Sequence, residues 1–298
     1  MKTFEELNDL SHDGFIPSEV YYTKQMTPYL KEPGVALVSR TTALLSNTAD
    51  FLDGFDEDLG FIGYLGDELI EPGARVCKFA GQMCYLSLGD KRTKNKDADV
   101  YFDNIVSSGH TSVLEHCVLG FLFYGVSRSF THEAVRHRVG LSPSQVSQRY
   151  VDGTKLRFVE RPEWQEDEWL HSQFGQRIDE AKNTYDHIAG YLLKKQSSGD
   201  ELLSAERKTD LRKKVNQAAR SVLPNETEAP IVFTGNVRAW HHFLDLRASE
   251  HAEIEIRAVA FRVYLIASKV EPLLFQDYEP YQLSDGTWAV RKKGKGTK

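Results

Sequence analysis

Between His132 and Tyr150 the chain crowds Arg136, His137, Arg138 and Arg149 together with four hydroxyl residues, Ser142, Ser144, Ser147 and Tyr150. Neighbouring cations repel one another unless an anion or a carboxylate sits between them. Such a cluster is suited to gripping a phosphorylated molecule, because a guanidinium fork matches phosphate bidentately. Two other readings compete. A basic helix end in solvent is favoured by the helix dipole. Val135, Val139, Gly140, Leu141 and Val146 also fall at helix-turn-helix spacing, with Ser142-Pro-Ser-Gln as the start of a recognition helix. In that reading Arg136 occupies the position that must be small, and a buried unpaired arginine is costly.

A second constellation runs from Thr234 to Ile256 and holds Asn236, Arg238, His241, His242, Arg247 and His251. Arg247 and His251 are four apart, which places them on one face of a continuous helix. Arg238 and Arg247 are nine apart, so about 180° separates them at 3.6 residues per turn. One pocket cannot easily use both from one helix; two sites could, or one site assembled from several subunits. The plain alternative is a surface helix in which Glu250 or Glu253 pairs with Arg257. His-Glu-x-x-His is absent, and no metal is expected.

The elements that must carry these side chains are legible in outline. Val35–Val38 is a short apolar run that suits a buried strand. Residues 46–73 are acidic and Gly-interrupted, a loop or an inserted helix. Asp97 to Ser108 suits a helix stopped by Gly109, and Ser112-Val-Leu-Glu115 has capping-box spacing. Cys117–Val126 is apolar, β-branched and aromatic, hence a strand; Ser127 then caps a helix reaching Arg138. Arg157-Phe-Val159 is a brief strand. Trp169, Leu170, Phe174, Ile178, Ala181, Tyr185, Ile188 and Leu192 make one apolar stripe, hence a long helix. Leu202, Leu211, Val215, Ala218 and Val222 make a second that Pro224 ends. Ile231–Thr234 is a strand, after which Asn236 caps a final long helix reaching about Val270. The simplest division is an N-terminal extension over 1–34 with little core of its own, a single catalytic domain over 35–290 and a basic tail over 291–298 that frays into solvent.

Composition narrows the partners. The chain has 298 residues, 41% hydrophobic and 27% charged, which is ordinary for a globular protein. A net charge of −6 disfavours a grip on nucleic acid by the whole protein. No apolar run suits a membrane span, and the acidic N-terminus Met1 to Gly14 is unlike a secretory signal, so a cytoplasmic protein is expected. The three cysteines, Cys77, Cys84 and Cys117, form no CxxC pair and read as core thiols in a reducing compartment.

Taken together, the segments resemble the flavin-dependent thymidylate synthases. The family pattern Arg-His-Arg, spacer, Ser-x-Arg-Tyr is met by Arg136-His137-Arg138 and Ser147-Gln148-Arg149-Tyr150. Gly109-His-Thr-Ser-Val-Leu-Glu-His116, Ala219-Arg-Ser-Val-Leu-Pro224, Thr234-Gly-Asn-Val-Arg238 and Leu246-Arg-Ala-Ser-Glu-His251 follow in family order, with Phe79-Ala-Gly-Gln-Met-Cys-Tyr85 a weaker match. The resemblance implies an α+β fold, a mixed or antiparallel sheet packed with long helices, assembled as a homotetramer with active sites between subunits. It implies FAD held by His110, Ser112, Arg136, His137, Arg138, Asn236, Arg238, His242 and His251. It implies dUMP held by Glu133, Arg136, Ser147, Arg149, Arg220 and Arg247, with 5,10-methylenetetrahydrofolate as one-carbon donor and NADPH as reductant. Arg247 is the candidate for stabilising charge on the uracil carbonyl. Ser147 stands beside it as a candidate nucleophile, although a serine nucleophile needs an adjacent base and its neighbours fit dUMP contacts better. The spacer from Arg138 to Ser147 has eight residues where many members have seven, and Pro143 stiffens it. Cys84 replaces a serine seen in some relatives. A flavin- and folate-dependent methyltransferase acting on uridine in RNA is the rival enzyme, and a helix-turn-helix DNA-binding protein the rival without catalysis; the acidic net charge weighs against both.

Overall fold

A computed structural model describes residues 2–66, 70–89, 97–205 and 207–294. In chain order the elements are α1 (Phe4–Ser11), β1 (Phe15–Ile16), β2 (Val20–Tyr22), β3 (Pro28–Leu30), β4 (Gly34–Arg40), α2 (Ala49–Asp53), α3 (Pro72–Met83), α4 (Ala98–Ser107), β5 (Val118–Tyr124), α5 (Arg128–Ala134), β6 (Leu141–Gln145), β7 (Phe158–Val159), α6 (Glu168–Ser197), α7 (Lys208–Ala219), β8 (Ile231–Asn236), α8 (Val237–Arg247), α9 (Ile254–Val270), β9 (Tyr278–Gln282) and β10 (Trp288–Lys292). The fold is α+β.

The central sheet has the order β1-β4-β5-β8-β6, and every neighbouring pair is antiparallel. Two smaller sheets flank it: β2-β3-β7, whose β3–β7 pair is parallel, and the hairpin β9-β10. Strand β8 alternates buried and half-buried residues from Ile231 to Asn236, the period-two pattern of a sheet with one face on the core. Phe121 and Phe123 of β5 and Phe233 of β8 meet Trp240 and Phe243 of α8 in one core. The indole N–H of Trp240 donates to the Leu119 carbonyl at 3.1 Å, so a fully buried polar atom is satisfied. Helix α9 is buried over most of its length, from Glu255 to Ala267, as expected of a helix enclosed on all sides.

Local signals placed several elements well. Asp97 caps α4 and Gly109 follows it in the left-handed region at φ 75°. Ser127 caps α5, accepting from the Phe130 N–H, and Asn236 caps α8, accepting from the Ala239 N–H. Four expectations differ. The final helix is two helices, α8 and α9, separated by residues 248–253, and Glu253 caps the second. The helix after Ser127 ends at Ala134, so Arg136, His137 and Arg138 lie beyond its C-terminus. Ser112 makes no cap; residues Thr111–His116 form a 3-10 helix with His110 at the capping position and no side-chain cap. Residues 1–34 are not bare of core: Leu7 and Ile16 join the main apolar cluster, Tyr29 joins a smaller one with Phe158, Phe174 and Ile178, and Leu30 is fully buried.

The acidic stretch carries α2 and 3-10 turns. Its Leu52, Phe61 and Tyr64 build a separate apolar cluster with the preceding Leu45 and with Leu88, against which Phe79 and Met83 of α3 pack; residues 67–69 of the stretch lie outside the described residues. Of the basic tail, Arg291 and Lys292 belong to β10 and pair with Glu279 of β9 and Asp245 of α8, because the hairpin ladder holds the strand beside both carboxylates; residues 295–298 lie outside the described residues. Among the described residues, no helix is long and apolar enough to cross a membrane.

Candidate active site

The guanidinium of Arg247, the last residue of α8, is held from two sides. Its Nε donates to Nε2 of His137 at 2.9 Å, and its Nη1 donates to Oε2 of Glu133 at 2.8 Å. Glu133 comes from α5 and His137 from the turn that follows, so the end of α8 is tied to the end of α5. An arginine has five N–H donors; two are committed here, and Nη2 has no hydrogen-bond partner among the described residues.

His137 is buried, with the rings of His242 and Phe243 at 6.0 and 5.2 Å. Burial, then the positive Arg247 and the neighbouring His242, push its pKa down to about 4. The ring is therefore neutral near pH 7. Accepting at Nε2 assigns its proton to Nδ1.

Further cations lie exposed: Arg136 and Arg138 on either side of His137 in sequence, and Arg149 after β6. Among the described residues none of the three has an ion pair. Arg149 begins where the chain turns at Ser147: the Arg149 N–H donates to the Ser147 hydroxyl at 3.3 Å, and the Tyr150 and Val151 N–H groups donate to the Ser147 carbonyl. The hydroxyl of half-buried Ser147 is thus placed by its own turn. Tyr150 presents its ring to Lys213 of α7, whose ammonium lies 4.8 Å from the centroid. Arg220 follows α7 and sits close enough to Arg128 that each opposes the other's charge; burial and Arg220 lower the Arg128 pKa. The eight-residue spacer is accommodated as β6, Leu141–Gln145, paired with β8, with Pro143 opposite Phe233. Gly140, at φ 73°, makes the turn into that strand, and a Cβ there would stand 2.8 Å from that of Ala239.

The remaining candidates gather elsewhere. His110, Ser112 and Arg238 line a cavity of about 580 Å³ with Cys84, Tyr85, Tyr101, Asn104 and Ser108. Arg238, at the N-terminal end of α8, pairs with Glu115 at 2.5 Å. Arg238 and Arg247 therefore have different partners at opposite ends of one helix. Asn236 spends its side-chain oxygen on the Ala239 N–H. His242 is exposed beside His137. His251 does not share a helical face with Arg247; it lies in the break between α8 and α9, exposed, 3.6 Å from Glu250.

Sequence reasoning missed the partners that fix these groups. Glu115 opposite Arg238 and Glu255 opposite Ser127 are far apart in sequence from what they hold. Glu255 accepts from the Ser127 N–H at 2.6 Å and its hydroxyl at 2.7 Å, joining the start of α9 to the start of α5. Cys84 also differs from the core-thiol expectation: Cys77 and Cys117 are buried, whereas Cys84 is exposed on the cavity.

A model of the thymidylate synthase complementing protein family matches residues 68–273, and the chain belongs to that family. A protein of Mycobacterium sp. (strain KMS) named flavin-dependent thymidylate synthase is 43% identical over 217 residues, covering 73% of this chain and 84% of the relative. Proteins of the same name from Mycobacterium bovis (strain BCG / Pasteur 1173P2) and Mycobacterium tuberculosis (strain ATCC 25177 / H37Ra) are 41% identical over 215 residues, covering 72% of this chain and 83% of each relative.

Proposed function

We propose that this chain is a flavin-dependent thymidylate synthase, a methyltransferase that converts dUMP to dTMP with 5,10-methylenetetrahydrofolate as carbon donor, FAD as cofactor and NADPH as reductant. The observation that carries the reading is the Arg247 guanidinium, fixed by Glu133 and by neutral His137, whose sequence neighbours Arg136 and Arg138 are exposed. Family membership supports it.

The residues present fit a flavin. The cavity holding His110, Ser112 and Arg238 offers aromatic walls, Tyr85 and Tyr101, for a planar ring and polar groups for its edge. Arg136 and Arg138 offer guanidinium forks to a pyrophosphate. When bound, the flavin supplies the hydride that completes the methyl group and is restored by NADPH.

The chain's own residues bind, orient and stabilise. Arg149 and Arg220 hold the nucleotide phosphate, and Ser147 marks its position. Uracil attacks as a nucleophile only when negative charge building on its carbonyl is stabilised; the free Nη2 of Arg247 is placed to do so in a site that is already organised. Glu133 keeps that guanidinium aimed, and His137 accepts from it without adding a competing positive charge. Neither buried cysteine serves as a nucleophile: Cys77 is pushed up to about 12 by burial, and Cys117 is raised further for the same reason, so neither is a thiolate near pH 7. Arg238 and Arg247 hold different partners, which suits a catalytic centre assembled from neighbouring copies, and the proposed working form is a homotetramer with sites at its interfaces. We place it in the cytoplasm.

The test is product formation. Protein incubated with dUMP, methylenetetrahydrofolate, FAD and NADPH yields dTMP and dUMP-dependent NADPH oxidation, and tRNA in place of dUMP yields no methylated product. Absence of dTMP in the complete mixture overturns the reading, and methylated tRNA transfers it to the RNA enzyme class.

A further inference from the structure

One polar atom beside the cavity stands out because nothing satisfies it. The hydroxyl of Tyr101, on α4, is buried with no hydrogen-bond partner among the described residues. The residue is only 4% exposed, yet it lines the cavity with His110, Ser112 and Arg238. Its position depends on Gly81 of α3: a Cβ on Gly81 would stand 2.0 Å from the Tyr101 oxygen, so only glycine lets the hydroxyl reach this far. The ring packs edge-on against Phe102 at 5.1 Å, which fixes its direction.

An orphaned buried hydroxyl costs stability, since it has lost water and gained no partner. Proteins keep such groups where a ligand completes them. Burial, with the thiols of Cys77 and Cys84 and the phenol of Tyr85 nearby, pushes the Tyr101 pKa up to about 12. The group is thus a neutral phenol near pH 7, ready to donate.

We propose that Tyr101 is a cofactor-positioning residue whose hydroxyl donates a hydrogen bond to a carbonyl or ring-nitrogen acceptor of the flavin ring held in this cavity. The inference rests on the flavin reading above and names the chain's own contribution to orienting the ring. A planar heterocycle with acceptors on its edge matches a cavity lined by the aromatic Tyr85 and Tyr101 and by the polar His110, Ser112 and Arg238.

The experiment compares wild type with Tyr101→Phe, a change that removes one oxygen and keeps the packing. Flavin-stripped protein is melted, FAD is titrated, and the visible spectrum of bound FAD is recorded. The stripped variant melts no lower than wild type, because the unsatisfied oxygen is gone. It binds FAD about three- to tenfold more weakly, the worth of one hydrogen bond, and the flavin absorption band shifts. A purely structural tyrosine would instead lower the melting temperature and leave the band in place, which overturns the proposal. Equal affinity with an identical band also overturns it while the flavin reading stands. A wild-type protein that binds no FAD overturns both.

Discussion

Arg247 and His137 are joined by a hydrogen bond of 2.9 Å in which the guanidinium donates and the imidazole accepts. That polarity requires a neutral histidine, and with Glu133 on Nη1 it fixes the arginine in one orientation. Arg247→Ala removes the group proposed to stabilise charge on the uracil carbonyl, and kcat is expected to fall about 100-fold or more. Arg247→Lys keeps a charge but not the fork that reaches two partners at once, so it recovers little activity. Steady-state assays of both variants, with circular dichroism to confirm folding, check this.

The same bond predicts how stability responds to acid. His137 and His241 both have pKa values lowered to about 4 in the folded chain, chiefly by burial. The unfolded chain, with histidine near 6.5, therefore binds more protons between these values. Their neutral forms stabilise the fold above about pH 6.5, and that contribution is lost as pH falls toward 4. Buried Glu255, Glu271 and Asp277, with pKa values raised to about 7, 7 and 6, act in the opposite sense across this window, so the histidine contribution is read as a difference: from pH 8 to pH 4.5 wild type loses more melting temperature than His137→Gln does.

Ser127 holds two elements at once. Its hydroxyl accepts from the Phe130 N–H at the start of α5 and donates to the buried Glu255. Ser127→Ala removes a helix cap worth about 1–2 kcal/mol and leaves Glu255 with one donor fewer. Urea unfolding is expected to show a loss in that range, with activity falling further than stability because α5 carries Glu133.

Arg238 gives the opposite signature. Its ion pair with Glu115 is exposed, 53% and 47%, and such pairs contribute little to stability. Arg238→Ala therefore leaves the melting temperature of the flavin-free protein nearly unchanged while weakening FAD binding, as fluorescence titration of FAD will show.

What the sequence disclosed and what it hid follow from how local each cause is. Ser127 and Asn236 were readable as caps because a cap is settled within three residues. Strands β5 and β8 were readable because apolar residues dominate them. The break between α8 and α9 was not, since residues 248–253 contain neither proline nor glycine; it is stabilised by Glu253 accepting from the N–H groups of Glu255 and Ile256 and by Arg257 donating to the Glu250 and Ala252 carbonyls. The core role of residues 1–34 was hidden because β1, β2 and β3 are two or three residues long, too short to show a period. The cations of the site were legible by type. Glu115 and Glu255, which hold Arg238 and Ser127, lie 123 and 128 residues away from them and only folding reveals the pairs.

The visible absorption spectrum of the purified protein, reconstituted with FAD and freed of excess by gel filtration, bears most directly on the proposed activity. A flavin band that co-elutes with the protein, and changes when dUMP is added, is the predicted result. A colourless protein that retains no FAD, or a flavin band indifferent to dUMP at any concentration, contradicts it.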